Sequence, residues 1–351
     1  MIEIPFSNGH SYQLKNSWKE LTSKEYKAVL EYIVALMNGQ ITLSQLRLKV
    51  LFLLSELKPQ LHHNREKADQ QAENITRIAH QMNFMLRIEY ENTKSFSKLK
   101  KEVRDQLTRY LPEELEQTPE VRWAHKAFKA LKPDLVFAAN LIPVIGRRRH
   151  TLNGYTFEVS DNILVTSLTT SQFIDAQTVA LEIQETGKES LLNLLVAILY
   201  GEPKNSNLWP HDSLRDERPD RKYIYDAQRS SLMAKKLDWL DLETKKAIFI
   251  NFNAIQSYLI TRTKYSILFN APDSTSSATE KPKHNLGLGS VAHSLIKSGY
   301  EDIENSNLVK FFEIMYNELV GNVTTLHRQG ITIDKIAEQT GLTISKINQI
   351  I

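Results

Sequence analysis

The segment from Arg149 to Gly201 carries the densest pattern of structural signals in this sequence, and it constrains the fold most. Asn153-Gly154 stands among alternating residues, and an Asn-Gly pair supplies the positive φ angles that a two-residue hairpin turn needs. Thr169 and Gln172 have the spacing of a helix N-terminal capping box, and Gly187 has the position of a helix C-terminal glycine. A second helix follows that is apolar almost all round and is therefore expected to be buried, with Leu191, Leu192, Leu194, Leu195, Val196, Ile198, Leu199 and Tyr200.

A weaker copy of this pattern opens the chain. Asn8-Gly9, Thr22 and Gly39 align with the turn, the capping threonine and the terminal glycine at offsets of 145, 147 and 148 residues. The apolar run Val50–Leu53 aligns with the buried helix at an offset of 146. We interpret this as an internal duplication of a hairpin, capped helix, turn and buried helix. The alternative is that any hairpin followed by a helical hairpin produces the same sequence pattern.

The composition excludes several classes of function. The 351 residues contain no cysteine, which excludes disulfides, thiolate metal sites and cysteine nucleophiles. The formal net charge of +3 is nearly balanced, whereas dedicated nucleic-acid binders usually have a larger positive excess. Residues Met1–Phe6 lack the basic and apolar regions of a signal peptide, and the apolar runs are too short to span a bilayer. We therefore expect no membrane association.

Length and local composition divide the chain into parts. We predict an N-terminal repeat unit with a helical extension over 1–140, a second repeat unit with helices over 141–270, a flexible linker over 271–289 and a C-terminal helical module over 290–351. The linker assignment depends on the polar run Pro272–Lys283, which cannot bury a core. The predicted fold class is mainly α with small β-hairpins (α+β), built from the two pseudo-repeated units and the C-terminal module.

Several other stretches allow both a functional and a plainer interpretation. Lysines and arginines between Lys94 and Arg109 form either a basic face for nucleic acid or, more commonly, a solvated helix surface. A further helix is predicted around Val121–Leu131. We interpret Arg147–Arg149 as charged residues that keep a strand edge from pairing with another sheet. Trp209–Asp212 has no serine or carboxylate partner placed by a motif, so we interpret it as a surface loop, and we predict no catalytic residue, cofactor or metal ligand.

The C-terminal module ends in a pattern that resembles a helix-turn-helix unit. A helix is predicted over Leu308–Leu319, after which Ala337, Gly341 and Ile347 have the spacing of the two short helices and their tight turn. The side chains that such a unit would present to DNA are Thr343, Ser345, Lys346, Asn348 and Gln349, with Arg328 as an added phosphate contact. Only one of the five on the second helix is basic, and phosphate contacts dominate affinity for DNA, so the unit equally suits a scaffold.

Four stretches carry a resemblance to a known class of proteins. They are Leu21-Thr22 with Tyr26, Leu168–Ala176, Leu195–Tyr200 and Val291–Gly299. Over about half of the chain, this pattern resembles uncharacterised phage- and prophage-encoded structural or tail-assembly proteins of a chaperone-like kind.

The resemblance implies a non-enzymatic virion component or assembly helper that works through protein–protein contacts. Its expected partners are other virion or assembly proteins and further copies of itself, and its expected location is the host cytoplasm or the virion. The helix-turn-helix-like end departs from a purely structural role. The alternative function is therefore a DNA-binding or DNA-packaging accessory protein that uses the C-terminal unit.

Overall fold

A computed structural model describes residues 2–5, 11–55, 57, 64–90, 93–109, 115, 118–146, 151–161, 163–201, 225–269, 288–297, 299–300 and 302–351. The chain divides into two compact units, Met1–Leu135 and Val136–Ile351. Helices dominate both units, and the strands form a few small antiparallel pairings, which confirms the predicted fold class. The division lies five residues before the domain boundary that the sequence predicts at residue 140.

The first unit opens with a β-hairpin followed by a helical hairpin. Its elements are β1 (Ile2–Pro5), β2 (Ser11–Leu14), a 3-10 helix (Trp18–Glu20), α1 (Ser23–Met37) and α2 (Leu43–Leu54). Both α-helices begin with a complete capping box, formed by Thr22 with Glu25 and by Thr42 with Gln45. Gly39 has a φ of +70°, which allows the chain to leave α1 and turn into α2.

The rest of the first unit contains α3 (Arg65–Ala79), β3 (Leu86–Tyr90), α4 (Lys94–Ser97), α5 (Lys101–Arg109), α6 (Pro119–Phe128) and β4 (Lys129–Pro133). Helices α4, α5 and α6 enclose a core of Phe96, Val103, Leu107, Leu115, Val121 and Ala124. The helix that the sequence predicts over Val121–Leu131 ends at Phe128, because residues from Lys129 onward pair antiparallel with β3. Hydrogen bonding to a strand about 40 residues away outweighs the local helical pattern there.

The second unit holds two small sheets and most of the helices. Its elements are β5 (Val144–Ile145), β6 (Leu152–Gly154), β7 (Phe157–Ser160), β8 (Ile163–Thr166), α7 (Thr170–Thr186), α8 (Ser190–Leu199), β9 (Tyr200–Gly201), α9 (Ala227–Ala234), α10 (Leu242–Arg262), a 3-10 helix (Lys264–Leu268), α11 (Leu288–Lys297), α12 (Leu308–Arg328), α13 (Ile333–Thr340) and α14 (Ile344–Ile350). Strand β6 lies between β5 and β9, and β7 forms a hairpin with β8. All three pairings are antiparallel.

The predicted hairpin turn at Asn153-Gly154 is wrong. Both residues lie within β6, where Asn153 pairs with Val144 and Gly201, and the hairpin instead turns through Asp161, which has a φ of +50°. Gly154 is required for space: a Cβ there would lie 2.8 Å from the ring of Tyr200. That ring is buried, and its hydroxyl donates to the Ile142 carbonyl at 2.7 Å. The glycine therefore makes room for a neighbouring strand's side chain.

The predicted boundaries of α7 are confirmed. The Thr169 hydroxyl accepts a hydrogen bond from the main-chain N–H of Gln172, and Gly187 ends the helix in the left-handed conformation at φ +65°. The Gln172 side chain donates to the Ile198 carbonyl at 2.6 Å, so it ties α7 to α8. Helix α8 is buried as predicted, with the side chains of Leu192, Leu195, Val196, Ala197, Ile198 and Leu199 inside.

An aromatic cluster joins the helices of the second unit. Phe173 of α7 packs against Phe252 of α10 at 5.7 Å between ring centroids and against Phe312 of α12 at 6.1 Å. Phe312 also stacks on Tyr265 at 5.3 Å and contacts the edge of Phe269. The rings of Phe173, Phe252 and Phe312 are almost completely buried. Such pairs stabilise by about 0.5–1.5 kcal/mol beyond the burial of their area.

The C-terminal helices pack around a second, smaller core. Helix α12 is longer than predicted, since it continues past Leu319 to Arg328 and places Val323 among the last two helices. Val323, Ile336, Leu342 and Ile347 form this core. Gly341 has a φ of +68° between α13 and α14, so two short helices lie on either side of the glycine that the sequence assigns to the turn.

The order hairpin, capped helix and second helix occurs in both units. In the first unit the helices are α1 and α2, and in the second unit they are α7 and α8. The glycine near the end of each first helix has a positive φ. The two Asn-Gly pairs do not support the alignment, because Asn153-Gly154 is inside a strand. Duplication of the unit stays a prediction.

Some sequence-based interpretations concern residues that lie outside the described part of the chain. They are Asn8-Gly9, Arg147–Arg149, Trp209–Asp212 and residues 271–287 of the predicted linker. The last two residues of that predicted linker, Leu288 and Gly289, belong to α11.

Replacing Phe312 by alanine tests the aromatic cluster. We expect the free energy of unfolding to fall by about 3–5 kcal/mol, because the change opens a cavity between three helices. Phe312→Leu fills most of that space and should cost less, about 1.5 kcal/mol. Urea unfolding followed by circular dichroism measures both. A loss below about 1 kcal/mol for the alanine variant would show that the cluster does not hold the helices together.

Candidate functional site

The polar side chains predicted to face DNA are largely exposed on α14. Thr343 caps the helix by accepting a hydrogen bond from the Lys346 main-chain N–H at 3.4 Å. Ser345, Asn348 and Gln349 are exposed, whereas Ile347 points into the small core. The exposed surface of α14 therefore offers hydroxyl and amide groups, which can donate and accept hydrogen bonds.

The only cation of α14 faces the protein. The ammonium group of Lys346 donates to the main-chain carbonyl of Phe269, a residue 77 positions earlier in the chain. Burial lowers the pKa of Lys346 below its ordinary value. The side chain thus connects α14 to the end of the 3-10 helix that follows α10, in a position that does not suit a phosphate contact.

Arg328 lies apart from the other predicted contacts, at the C-terminal end of α12. It is exposed, and His327 precedes it in the same last turn. A positive charge at this position stabilises the helix terminus by about 0.3–1 kcal/mol, which gives Arg328 a structural role as well. The structure therefore brings four of the six predicted contact residues together on α14 and directs Lys346 elsewhere.

A charged and aromatic cluster joins the first part of α12 to the 3-10 helix that follows α10. Lys264 pairs with Glu313 at 2.5 Å, and the Tyr265 hydroxyl donates to the same carboxylate at 2.8 Å. Burial raises the pKa of Glu313, but the hydrogen bonds from Lys264 and Tyr265 outweigh burial and hold it below its ordinary value. Burial and the neighbouring carboxylate raise the pKa of Tyr265. The ammonium and hydroxyl groups both donate to the one carboxylate. This arrangement is typical of a contact that stabilises the fold.

The outer surface of the β7–β8 hairpin exposes two branched aliphatic side chains. Ile163 is 65% exposed and Val165 is 54% exposed, and alternation along β8 places both on one face. Strand β7 is covered on its other side, where Val159 donates to the Ala138 carbonyl at 2.9 Å. Within the described residues β8 pairs with β7 alone, so β8 is an edge strand. No motif marks this strand in the sequence, although its Ile-Leu-Val-Thr composition is typical of one.

A tyrosine–histidine pair lies in the first unit. The Tyr90 hydroxyl and His125 Nδ1 are 2.7 Å apart, which joins β3 to α6. Burial lowers the pKa of His125, and the positive charge of Lys129 adds to that effect. Burial raises the pKa of Tyr90. A neutral imidazole with its hydrogen on Nε2 accepts a hydrogen bond at Nδ1 from the Tyr90 hydroxyl, and burial favours the uncharged form of both groups.

Neither a metal centre nor a membrane span is found in the described part of the chain. No group of three or more histidine, aspartate or glutamate side chains is placed to hold a metal ion there. None of the described helices combines the length and the apolar character needed to cross a bilayer.

Comparison with known proteins gives no relative from which a role could be transferred. The chain matches no protein-family model, and no curated protein and no solved structure is significantly similar to it. The function is therefore inferred from the chemistry of the exposed surfaces.

The Tyr90–His125 pair predicts a pH dependence of stability. Because folding lowers the pKa of His125, its contribution is complete above the unfolded value of about 6.5 and is lost as the pH falls below it. His125→Gln keeps an acceptor for Tyr90 without titrating there. We expect the urea midpoint to fall more for the unaltered protein than for this variant between about pH 7.5 and pH 5.5. His80→Gln is the control, since His80 is exposed after α3. Equal falls for all three proteins would contradict the prediction.

Proposed function

We propose that this protein is a non-enzymatic bacteriophage virion or tail-assembly protein that acts through protein–protein contacts. The observation that carries the proposal is the β8 edge, where Ile163 and Val165 expose their side chains and no other described strand pairs with β8. The Asn307 side chain donates to the Thr166 carbonyl at 2.6 Å, so the edge is open only before Thr166. Natural proteins usually protect such an edge with charge, proline or a bulge. Ile163 and Val165 supply none of these devices.

The β8 edge has the properties of a contact surface for another strand. A partner strand would pair along the part of β8 before Thr166 and would cover the two aliphatic side chains. Burying these two side chains contributes on the order of 3 kcal/mol to the free energy of binding. In a particle the same contact would be made many times. Glu158 and Ser160, the cross-strand neighbours of Val165 and Ile163, add polar groups that orient the partner.

The resemblance to phage proteins supports the same proposal from the sequence. Two of the stretches that carry it, Leu168–Ala176 and Val291–Gly299, fall mainly on α7 and α11, which contact one another. Ala292 and Leu295 on α11 are buried, so the resemblance includes part of the packing of the second unit. The partners that the proposal names are other virion or assembly proteins and further copies of this chain.

Deleting the coding sequence from the phage or prophage that carries it tests the proposal. We expect structural proteins and phage DNA to accumulate normally while complete particles fall by at least about tenfold, because assembly and not synthesis is affected. Electron microscopy of lysates counts the particles, and re-expression of the full chain restores them. Normal particle numbers after deletion would contradict the proposal.

The double variant Ile163→Ser with Val165→Thr tests the β8 edge itself. Both side chains are more than half exposed, so we expect a change in stability below about 0.5 kcal/mol but a loss of particle assembly in the complementation assay. Val34→Thr with Met37→Gln on α1 is the matched control, since it removes two other exposed apolar side chains. Full complementation by the hairpin variant would show that β8 is not the contact surface.

DNA binding by the C-terminal unit is the second candidate function. The observation that favours it is the α13–Gly341–α14 geometry with Asn348 and Gln349 exposed. Against it, the ammonium group of Lys346 is directed at the Phe269 carbonyl.

The second candidate predicts that duplex DNA binds the full chain with a steep dependence on salt. Asn348→Ala with Gln349→Ala removes the two amides that could read bases and should weaken binding by about tenfold or more. Fluorescence anisotropy with a labelled duplex measures the affinity. Binding that is unchanged in this variant, or no binding at low salt, would exclude the C-terminal unit as a DNA reader.

A further inference from the structure

The outer surface of α6 carries a tryptophan that the core of the first unit does not use. Trp123 is 60% exposed, the largest exposed fraction of any aromatic side chain in the described residues. Helix α6 turns Val121 and Ala124 into the core, so the opposite side of the helix faces solvent. An indole ring left in water is unusual, because burying its large apolar surface would be strongly favourable.

Trp123 stands on a rigid support. Its ring packs at 89° against Phe128, with 5.8 Å between the centroids. The Tyr90–His125 contact joins α6 to β3, and β4 follows α6 directly and pairs with β3 along five residues. The indole is thus held in place before a ligand binds, which reduces the entropy lost on binding.

The stretches of the first unit that form α4, α5, α6 and β4 carry an excess of positive charge. Residues 93–108 and 118–134 carry nine lysine and arginine side chains and four carboxylates, an excess of five, whereas the whole chain has a net charge of only +3. Lys100 pairs with Glu120 at 2.9 Å, which neutralises one cation and one carboxylate and leaves the excess at five. No described carboxylate pairs with Arg122 or Lys126 on α6, or with Lys129 or Lys132 on β4.

We propose that the Trp123 surface, formed by Arg122, Trp123 and Lys126 on α6 and by Lys129 at the start of β4, binds single-stranded nucleic acid. Cations that follow a phosphate backbone, together with an aromatic ring on which a base stacks, are the two elements of sequence-independent binding to single strands. Bases in a duplex are already stacked and cannot reach an indole that projects from a helix surface. The single strand is therefore the form that fits.

This inference goes beyond the proposed function and does not depend on it. The β8 edge belongs to the second unit and the Trp123 surface to the first, and no residue is shared between them. An assembly protein with both surfaces would bind a protein through one and a nucleic-acid strand through the other. The same separation applies to α14, whose residues take no part in the Trp123 surface.

The test uses the full chain and a fluorescein-labelled oligothymidylate of about 20 nucleotides, a strand with little structure of its own. Anisotropy is measured across a series of salt concentrations. We expect binding whose logarithm falls linearly with the logarithm of salt. Trp123→Ala should weaken it about tenfold, and Trp123→Phe, which keeps an aromatic ring, should weaken it less. Lys126→Gln with Lys129→Gln should reduce the salt slope by about 1.4, because each lysine that neutralises a phosphate of a single strand contributes about 0.7.

Matched variants on the second unit separate this surface from the rest of the chain. Trp239→Ala removes another exposed tryptophan and Lys297→Gln another exposed lysine, and neither should change the affinity. Circular dichroism confirms that each variant folds. No binding at low salt would overturn the proposal, and so would binding that Trp123→Ala leaves unchanged. Polyglutamate of equal charge that competes as well as the oligonucleotide would also overturn it, because the surface would then select an acidic protein.

Discussion

The packing of Phe173 between Phe252 and Phe312 is the interaction on which the second unit depends. It brings together α7, α10 and α12, which come from widely separated parts of the sequence. No cysteine is available to hold these helices by a disulfide, so ring packing and burial hold them instead. Tyr265 and Glu313 extend the contact with a hydrogen bond at the surface end of the cluster. The hairpin β7–β8 and the C-terminal helices are attached to this framework.

Local structural signals can be predicted from this sequence, whereas long-range contacts cannot. The caps at Thr169 and Gly187 are predictable because a hydrogen bond within one turn and a positive φ depend on neighbouring residues alone. The predicted turn at Gly154 is wrong because its contact with the Tyr200 ring, 46 positions away, leaves no trace in the local pattern. The contact of Lys346 with the Phe269 carbonyl spans 77 positions and is equally hidden.

The hydrophobic pattern of the sequence also does not predict which apolar side chains are exposed. A tryptophan on a helix is typical of a core, yet Trp123 faces water on the helix that also carries Lys126. Ile163 and Val165 are typical strand residues, but only the contact of β7 with residues 138–140 shows that β8, and not β7, is the outer strand of this hairpin. These surfaces lie on different units. One is apolar and lies on an outer strand, and the other is basic with one aromatic ring, so they suit different kinds of partner.

The central claim is that β8 is bound by another protein during assembly, and a photocrosslinker at position 163 tests it most directly. The probe p-benzoylphenylalanine would replace Ile163 in the full chain, produced during assembly of the particles that the proposed function implies. Irradiation during assembly is predicted to give a covalent product with a virion or assembly protein, or with a second copy of the chain. The same probe at Met37 should give none. No product at position 163, or the same products at both positions, would contradict the claim.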